Sequence, residues 1–366
     1  MNEMTTFSAP AALGECYLAM SAVPGRNFHA EAEELLDRYR KITGGTIPVW
    51  VRFHLSDIAN QADELRHLVG DEIAMVGQAP VNGTRIALEA YHLKPEASSP
   101  ETIAAGAMRE FKLRHYRLLY FHRPALTSSG SGSQMSEEFE TAEKILRSRG
   151  GSVAANLQRT WIYCRDIDNN YADLVTARRE VFAEYGLRAE THFIASTGME
   201  GESDPCDRLV RMDSFALFGH RPEQIEYMHA PEHLSPTHIY GVTFERGTRI
   251  IYGDRSHYYI SGTASIDREG KIVHPGDIEH QTERLIENVE ALLSNHGGAL
   301  TDLKQAVVYL RDPADRIPVE NVLNRRLSPE LPRIMVKGSV CRPGWLVEMD
   351  GIAVNANGNP AFKEFV

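Results

Sequence analysis

"DIEHQTERLIENVEALLSNHGG", residues 277–298, fixes how the chain is organised. Ile278, Leu285, Ile286, Val289, Leu292 and Leu293 recur at the spacing of one helix face, and Gly297-Gly298 comes after the last turn. Glycine there suits a left-handed C-cap, so the run predicts an amphipathic helix with a defined end. The same device occurs twice more. Ala32, Leu35, Leu36, Tyr39 and Ile42 lead to Gly44-Gly45, and Phe139, Ala142, Ile145 and Leu146 lead to Gly150-Gly151. Three copies of one pattern at long spacing point to an internal repeat.

The segment after each glycine pair repeats as well. A strand ending in aspartate comes first, over 49–57, 160–166 and 306–312. A second helix comes next, over 61–68, 171–185 and 319–327, and then a closing strand over 84–93, 208–218 and 346–354. Pieces rich in Pro, Ser, Ala and His, 94–107 and 219–236, separate the copies. The sequence therefore predicts repeats at 1–97, 108–220 and 235–366. Each is an α/β unit (strand, strand, helix, strand, helix, strand) with its helices on one sheet face, and the three pack sheet to sheet around a central axis.

Composition narrows the function. The 366 residues are 42% hydrophobic and 24% charged, ordinary for a globular protein. A net charge of -11 and the lack of a basic run argue against nucleic acid and anionic membranes as partners. No apolar run is long enough to cross a bilayer, and Met1-Asn2-Glu3-Met4 does not read as a secretory leader. Cys16, Cys164, Cys206 and Cys341 are scattered, which fits a reducing cytoplasm. His229, His233 and His238 lie in a Pro-rich linker without helical spacing, so no metal is expected there. "TSSGSGS" at 127–133 lacks the lysine of a phosphate loop and reads as a hairpin connection.

The last closing strand carries the chemistry. Around Pro343-Gly344 the sequence gathers Cys341, Arg342, Glu348 and Asp350. Strand alternation puts Glu348 and Asp350 on one face and Val347 and Met349 on the other. Two carboxylates so placed repel, which raises one pKa and readies that group for general acid–base work. The alternative is a solvated edge strand. Gapless alignment of the closing strands puts Ala87 and Arg211 opposite Glu348, so at most one cleft between copies keeps this acid.

The third copy resembles a known family. "YYISGTASIDREGKIVHPGDIEHQTERLIENVEALL", "VVYLRDPAD", "LPRIMVKG" and "GWLVEMDGIAV" are similar to the Rid (YjgF-like) superfamily. The resemblance implies three chorismate-mutase-like, Rid-type α+β repeats packed as an intrachain pseudo-trimer, with ligand clefts between repeats. "LQRTWIYCRDIDNNYADLVTARREVF", "FIASTGMEG", "IYGVTFERGT" and "VCRPGWLVEMDG" further resemble the chorismatase branch, which hydrolyses the enolpyruvyl ether of chorismate. That resemblance implies Glu348 as the catalytic glutamate and Cys341 as a site position that influences the product. Arg246 and Arg311 fall in family-like segments and would suit a carboxylate-rich ligand. Phe244 stands where many Rid proteins line the pocket with tyrosine, and Tyr309 is a further candidate for the wall or the core. Arg333 in "LPRIMV" matches the arginine with which Rid deaminases grip a carboxylate.

Three functions are expected from these readings. The first is a chorismatase-like hydrolase of a small carboxylate metabolite, without metal or organic cofactor. The second is an imine or enamine deaminase, favoured by Arg333. The third is a small-molecule binding protein without turnover, favoured by the altered residues in two copies. Pairing of pseudo-trimers into a higher oligomer is left open.

Overall fold

Each long helix ends where the glycines stand: Gly45, Gly150 and Gly297 adopt φ of 80°, 79° and 76°, which a side chain would oppose. The computed structural model describes residues 2–8, 14–70, 73–95, 100–122 and 126–365. In the first repeat these form β1 (Met4–Phe7), β2 (Gly14–Ser21), α1 (Phe28–Ile42), β3 (Ile47–Leu55), α2 (Ile58–Val69), β4 (Ala74–Gly77) and β5 (Ile86–Lys94). The second comprises β6 (Glu101–Ala105), β7 (Met108–Lys112), β8 (Arg117–His122), α3 (Ser131–Arg147), α4 (Val153–Asn156), β9 (Leu157–Cys164), α5 (Ile167–Glu184), β10 (Ala195–Glu200) and β11 (Val210–Phe218). The third comprises β12 (Ile225–Tyr227), β13 (Gly247–Ile251), β14 (Ser256–Ala264), α6 (Ile278–Ser294), β15 (Leu303–Leu310), α7 (Arg316–Arg326), β16 (Arg333–Lys337) and β17 (Val347–Asn355).

Each repeat contributes one mixed sheet, in the orders β1-β2-β5-β3-β4, β10-β9-β11-β8-β7-β6 and β12-β13-β14-β17-β15-β16. The closing strand lies inside its sheet every time, so the edge-strand alternative for Glu348 falls. A short parallel strand (β4, β10 or β16) joins each sheet after the second helix and was not predicted. Strands β6 and β12 also join sheets from outside the predicted repeat bounds. The "TSSGSGS" run leads into α3 instead of linking a hairpin, with Gly130 at its N-cap and the Glu137 carboxylate accepting from the amides of Thr127 and Ser128.

The helices cover one face of each sheet and enclose a separate core. Leu35, Phe53 and Leu65 belong to the first, Phe139, Val181 and Phe182 to the second, and Leu285, Val289 and Leu323 to the third. The opposite faces share a fourth core, rich in aromatics, from all three repeats: Tyr17, Tyr91, Trp161, Phe215, Tyr252 and Tyr259 among them. Charged side chains are threaded through this inner layer. Arg52 donates to Glu89 at 2.6 Å and to Asp213 at 2.7 Å, Gln305 donates to Glu89 at 2.9 Å, and Arg159 donates to Asp350 at 2.9 Å. Three of these links cross between repeats. Buried charges are tolerable only when so paired.

The pairing register aligns the repeats. Ala87 faces His54, Arg211 faces Tyr163 and Glu348 faces Tyr309. Asp57, Asp166 and Asp312 each come three residues after that partner. Ala87, Arg211 and Glu348 therefore occupy one step of the pseudo-symmetric unit. Among the described residues no helix is long and apolar enough to cross a membrane.

Candidate active site

Glu348 is carried by β17, between β14 and β15, and its side chain is 6% exposed. It closes the inner end of a cavity where repeats 2 and 3 meet. Repeat 2 supplies Tyr171 and Arg178 from α5 and Ser196 and Gly198 from β10; repeat 3 supplies Phe244, Arg246, Gly262, Cys341 and Arg342. The edge of β10 reaches β14 here, and the Ser196 amide donates to Ser261 Oγ at 2.9 Å.

Electrostatics at the floor separate the two carboxyl groups. Asp350 Oδ2 accepts from Arg159 Nη2 at 2.9 Å, Thr197 Oγ1 at 2.7 Å and Tyr309 OH at 3.3 Å. No donor among the described residues bonds Glu348. Burial, reinforced by the Asp350 charge and only partly offset by Arg246 and Arg159, pushes the Glu348 carboxyl up to about 8. Glu348 is therefore a neutral acid at pH 7, the state a proton donor needs. Gly262 makes room for it: a Cβ on residue 262 would stand 1.9 Å from Glu348 Oε1.

Three guanidinium groups line the walls. Arg246 donates through Nε and Nη2 to the Ser235 carbonyl at 3.1 and 2.8 Å, with its charge 5.4 Å from the ring centres of Tyr240 and Phe244. Arg342 donates to the Tyr240 carbonyl and lies over the rings of Tyr240 and Trp345. Arg178 is buried; among the described residues its Nε and Nη2 have no hydrogen-bond partner, while the Tyr171 hydroxyl lies against the guanidinium. Burial holds this guanidinium below its ordinary pKa. A buried planar fork with free donors is a ready seat for a carboxylate. Sequence reasoning passed over Arg178 and Tyr171, although both lie in a chorismatase-like segment. The available signal was an arginine on the apolar stripe of α5, four residues after Leu174 and three before Val181.

The sequence-predicted residues divide. Glu348, Cys341, Arg246 and Phe244 meet at the cavity; Arg333, Arg311 and Tyr309 do not line it. The Cys341 sulfur lies against the Tyr171 hydroxyl, and burial together with the Glu348 charge pushes its thiol up to about 12. The neighbouring Arg342 does not offset that, so Cys341 is a wall group and not a thiolate nucleophile. Arg311 donates to the Val340 carbonyl at 3.1 Å and pairs with Asp168, bracing the chain that carries Cys341. Tyr309 is buried beneath the cavity and holds Asp350.

Arg333 requires the largest correction. It lies on β16 beyond β15, bonded to Asn324 Oδ1 and, at 3.4 Å, to the Ser328 carbonyl. It lines a different cavity, toward repeat 1. The cause is topological. Each repeat offers its closing strand to one neighbour and its parallel edge strand to the other, so Glu348 and Arg333 enter different clefts.

A family model described as Endoribonuclease L-PSP matches residues 251–355. The 3-aminoacrylate deaminase RutC of Acinetobacter baylyi is 33% identical over 96 residues, 26% of this chain and 76% of that protein. The chain belongs to the Rid superfamily. Its three Rid-type repeats in one chain also match a solved structure along nearly the whole length. The crystal structure of a chorismatase superposes with a TM-score of 0.67, covering 96% of this chain and 99% of that one at 18% identity. A 3-hydroxybenzoate synthase of Streptomyces hygroscopicus is 26% identical over 218 residues, 54% of this Rid chain and 63% of the synthase. The chain thus matches somewhat less than two thirds of that curated relative.

Proposed function

We propose that this Rid protein is a chorismatase-type hydrolase of an enolpyruvyl ether, acting on chorismate or a closely related carboxylate. One observation carries the reading: Glu348, neutral at pH 7, closes a cavity whose walls hold the unpartnered fork of Arg178 beside Arg246. The two arginines would seat the substrate's carboxylates and aim the vinyl group at Glu348. The acid delivers its proton to the terminal methylene carbon, leaving an oxocarbenium ion and the Glu348 carboxylate. That carboxylate then takes a proton from the water that adds to the cation. Collapse of the hemiketal breaks the bond between the former vinyl carbon and the ring-borne oxygen; the hydroxyl proton lost as the ketone forms ends on that oxygen, releasing pyruvate and a ring alcohol, so one water is consumed per turnover. Cys341, Phe244 and Tyr240 shape the wall against the ring. The reaction uses protein groups and water, in a setting taken to be the cytoplasm.

The test is incubation with chorismate, monitoring pyruvate release and the ring product. Turnover that falls about 10²- to 10⁴-fold in Glu348→Gln is the expected result, the range for losing a general acid. No pyruvate from chorismate overturns the reading.

A second reading, an imine or enamine deaminase, is favoured by the match to the 3-aminoacrylate deaminase. Glu348 would then position water on an imine carbon. Hydrolysis of freshly generated 2-aminoacrylate, with chorismate left intact, selects it over the first.

A further inference from the structure

The edge strand that repeat 2 lends to the Glu348 cleft carries a buried hydroxyl. On β10, Ser196 and Gly198 line the cavity; Thr197, between them, does not. Thr197 is buried, and its Oγ1 joins three groups. The Gly262 amide donates to it at 3.0 Å, and Arg159 Nη2 donates to it as well. Neither of those groups can accept, so the hydroxyl proton goes to Asp350 Oδ2, 2.7 Å away. A hydroxyl has one donor and two acceptor positions, and here all are used.

These bonds stand in for a missing piece of the sheet. β14 pairs with β17 from Ser256 to Ile260 and again from Thr263, and the register shifts between them, at Ser261 and Gly262. Such a bulge bends its strand and re-aims what the strand carries. The Ser261 amide turns to the Arg246 carbonyl at 3.1 Å, and the Gly262 amide turns to Thr197. Gly262 is the residue whose missing Cβ gives the Glu348 carboxyl its space. Asp350 lies two residues beyond Glu348 on β17. Thr197 therefore ties the bulge of β14 to the strand that bears the acid, where the ladder between them is interrupted.

The other two junctions lack this tie. Trp161, the β9 partner of Thr197, comes two residues before Tyr163, the partner of Arg211. The same count from the partners of Glu348 and Ala87 gives Ile334 on β16 and Ala74 on β4. Neither side chain can hydrogen-bond. Glu89 and Asp213 stand at the Asp350 step, and both are held by Arg52. An inner carboxylate of this fold thus does not need an edge-strand hydroxyl for its own sake, and the hydroxyl occurs at the junction that keeps the acid.

We propose that Thr197 is a positioning residue for proton transfer at Glu348, acting through Gly262 and Asp350 and not on the substrate. The proposal deepens the acid–base reading of Glu348 and rests on it.

The test compares Thr197→Val, which keeps the shape and loses the hydroxyl, with Thr197→Ser, which keeps the hydroxyl. Both are made in the full chain and assayed with chorismate, and rates are taken per folded molecule, with folding read by circular dichroism. Thr197→Val is expected to lower kcat and kcat/KM together by about 10- to 100-fold with KM unchanged, the signature of a reacting group held slightly out of place. Thr197→Ser is expected to recover most of that loss. If Thr197→Val does not fold, Thr197→Ser against Thr197→Ala decides, since that pair differs by the hydroxyl alone. The proposal is overturned by a parental kcat without the hydroxyl, by a raised KM in place of a lowered kcat, or by a Thr197→Ser protein as slow as the variant lacking the hydroxyl. If the parent chain releases no pyruvate from chorismate, the hydrolase reading falls by itself. Crystal structures of the parent and of Thr197→Val then decide for Thr197: a displaced Gly262 and Glu348 carboxyl uphold the positioning role, and unchanged positions overturn it.

Discussion

Glu348 and Asp350 project from the same face of β17 two residues apart, yet only Asp350 is held by donors. Burial lifts both carboxyl groups, but Arg159 and Thr197 pull Asp350 back toward its charged form. Glu348 accepts no such hydrogen bond among the described residues, Arg246 and Arg159 offset its burial only in part, and it stays protonated until about pH 8. Asp350 is thus tied down by its donors, and Glu348 is the carboxyl left to carry a mobile proton. The expected profile of kcat/KM is level from pH 6 to about 8, then falls tenfold per pH unit as Glu348 ionises. Initial rates between pH 6 and 10 check this; activity that climbs through pH 8 would contradict the acid role.

The same group sets a pH dependence of folding. Glu348 titrates near 8 in the fold against an ordinary 4.5, so the folded chain holds one extra proton between those values. Stability from this group is full below pH 4.5, declines as pH rises and has been lost once pH passes about 8. Glu348→Gln is neutral throughout and removes the decline. Denaturant midpoints at pH 5 and pH 9 should show the variant gaining on the parent at the higher pH.

Close packing around the acid gives a steric test. A methyl on residue 262 overlaps Glu348 Oε1 and approaches Thr197 Cγ2 to 3.1 Å. Gly262→Ala is expected to turn the carboxyl out of line and reduce kcat at least about 100-fold. Overpacking of this kind costs about 1–3 kcal/mol of stability, so thermal melting should still show a folded protein. A variant with near-parental kcat would mean that the carboxyl position is not critical.

Arg178 predicts opposite effects on stability and binding. Its guanidinium is buried with free donors, which strains the ligand-free protein. Arg178→Met removes the charge and keeps most of the volume. Replacing buried charge by an apolar group is often neutral or stabilising by about 1–4 kcal/mol. The expected outcome is an unchanged or higher Tm together with a KM raised at least about 10-fold, measured on one preparation.

Much of the architecture was legible because its signals are local. The three stripes closed by Gly-Gly, and the aspartate after each strand, mark positions along the chain without knowledge of the fold. The strands β4, β10 and β16 escaped notice because four to six residues carry too little periodicity to register. Glu348, Cys341, Arg246 and Phe244 come from one repeat, so a resemblance within that repeat was enough to gather them. Arg178 and Tyr171 arrive from the preceding repeat, and only the closed arrangement brings them there. Arg333 was misassigned for the complementary reason: nearness in sequence hides that a repeat faces two neighbours at once.

The positions of Ala87, Arg211 and Glu348 have a consequence for how such a protein can change. Three separate identical subunits would receive every substitution in triplicate, at all three interfaces together. Here Glu89, Asp213 and Asp350 would otherwise crowd like charges about the middle, but single arginines at non-equivalent places separate them. Linking the repeats covalently turns each interface into an independent variable, so the molecule can retain a reactive acid at one junction while the other two take up different work.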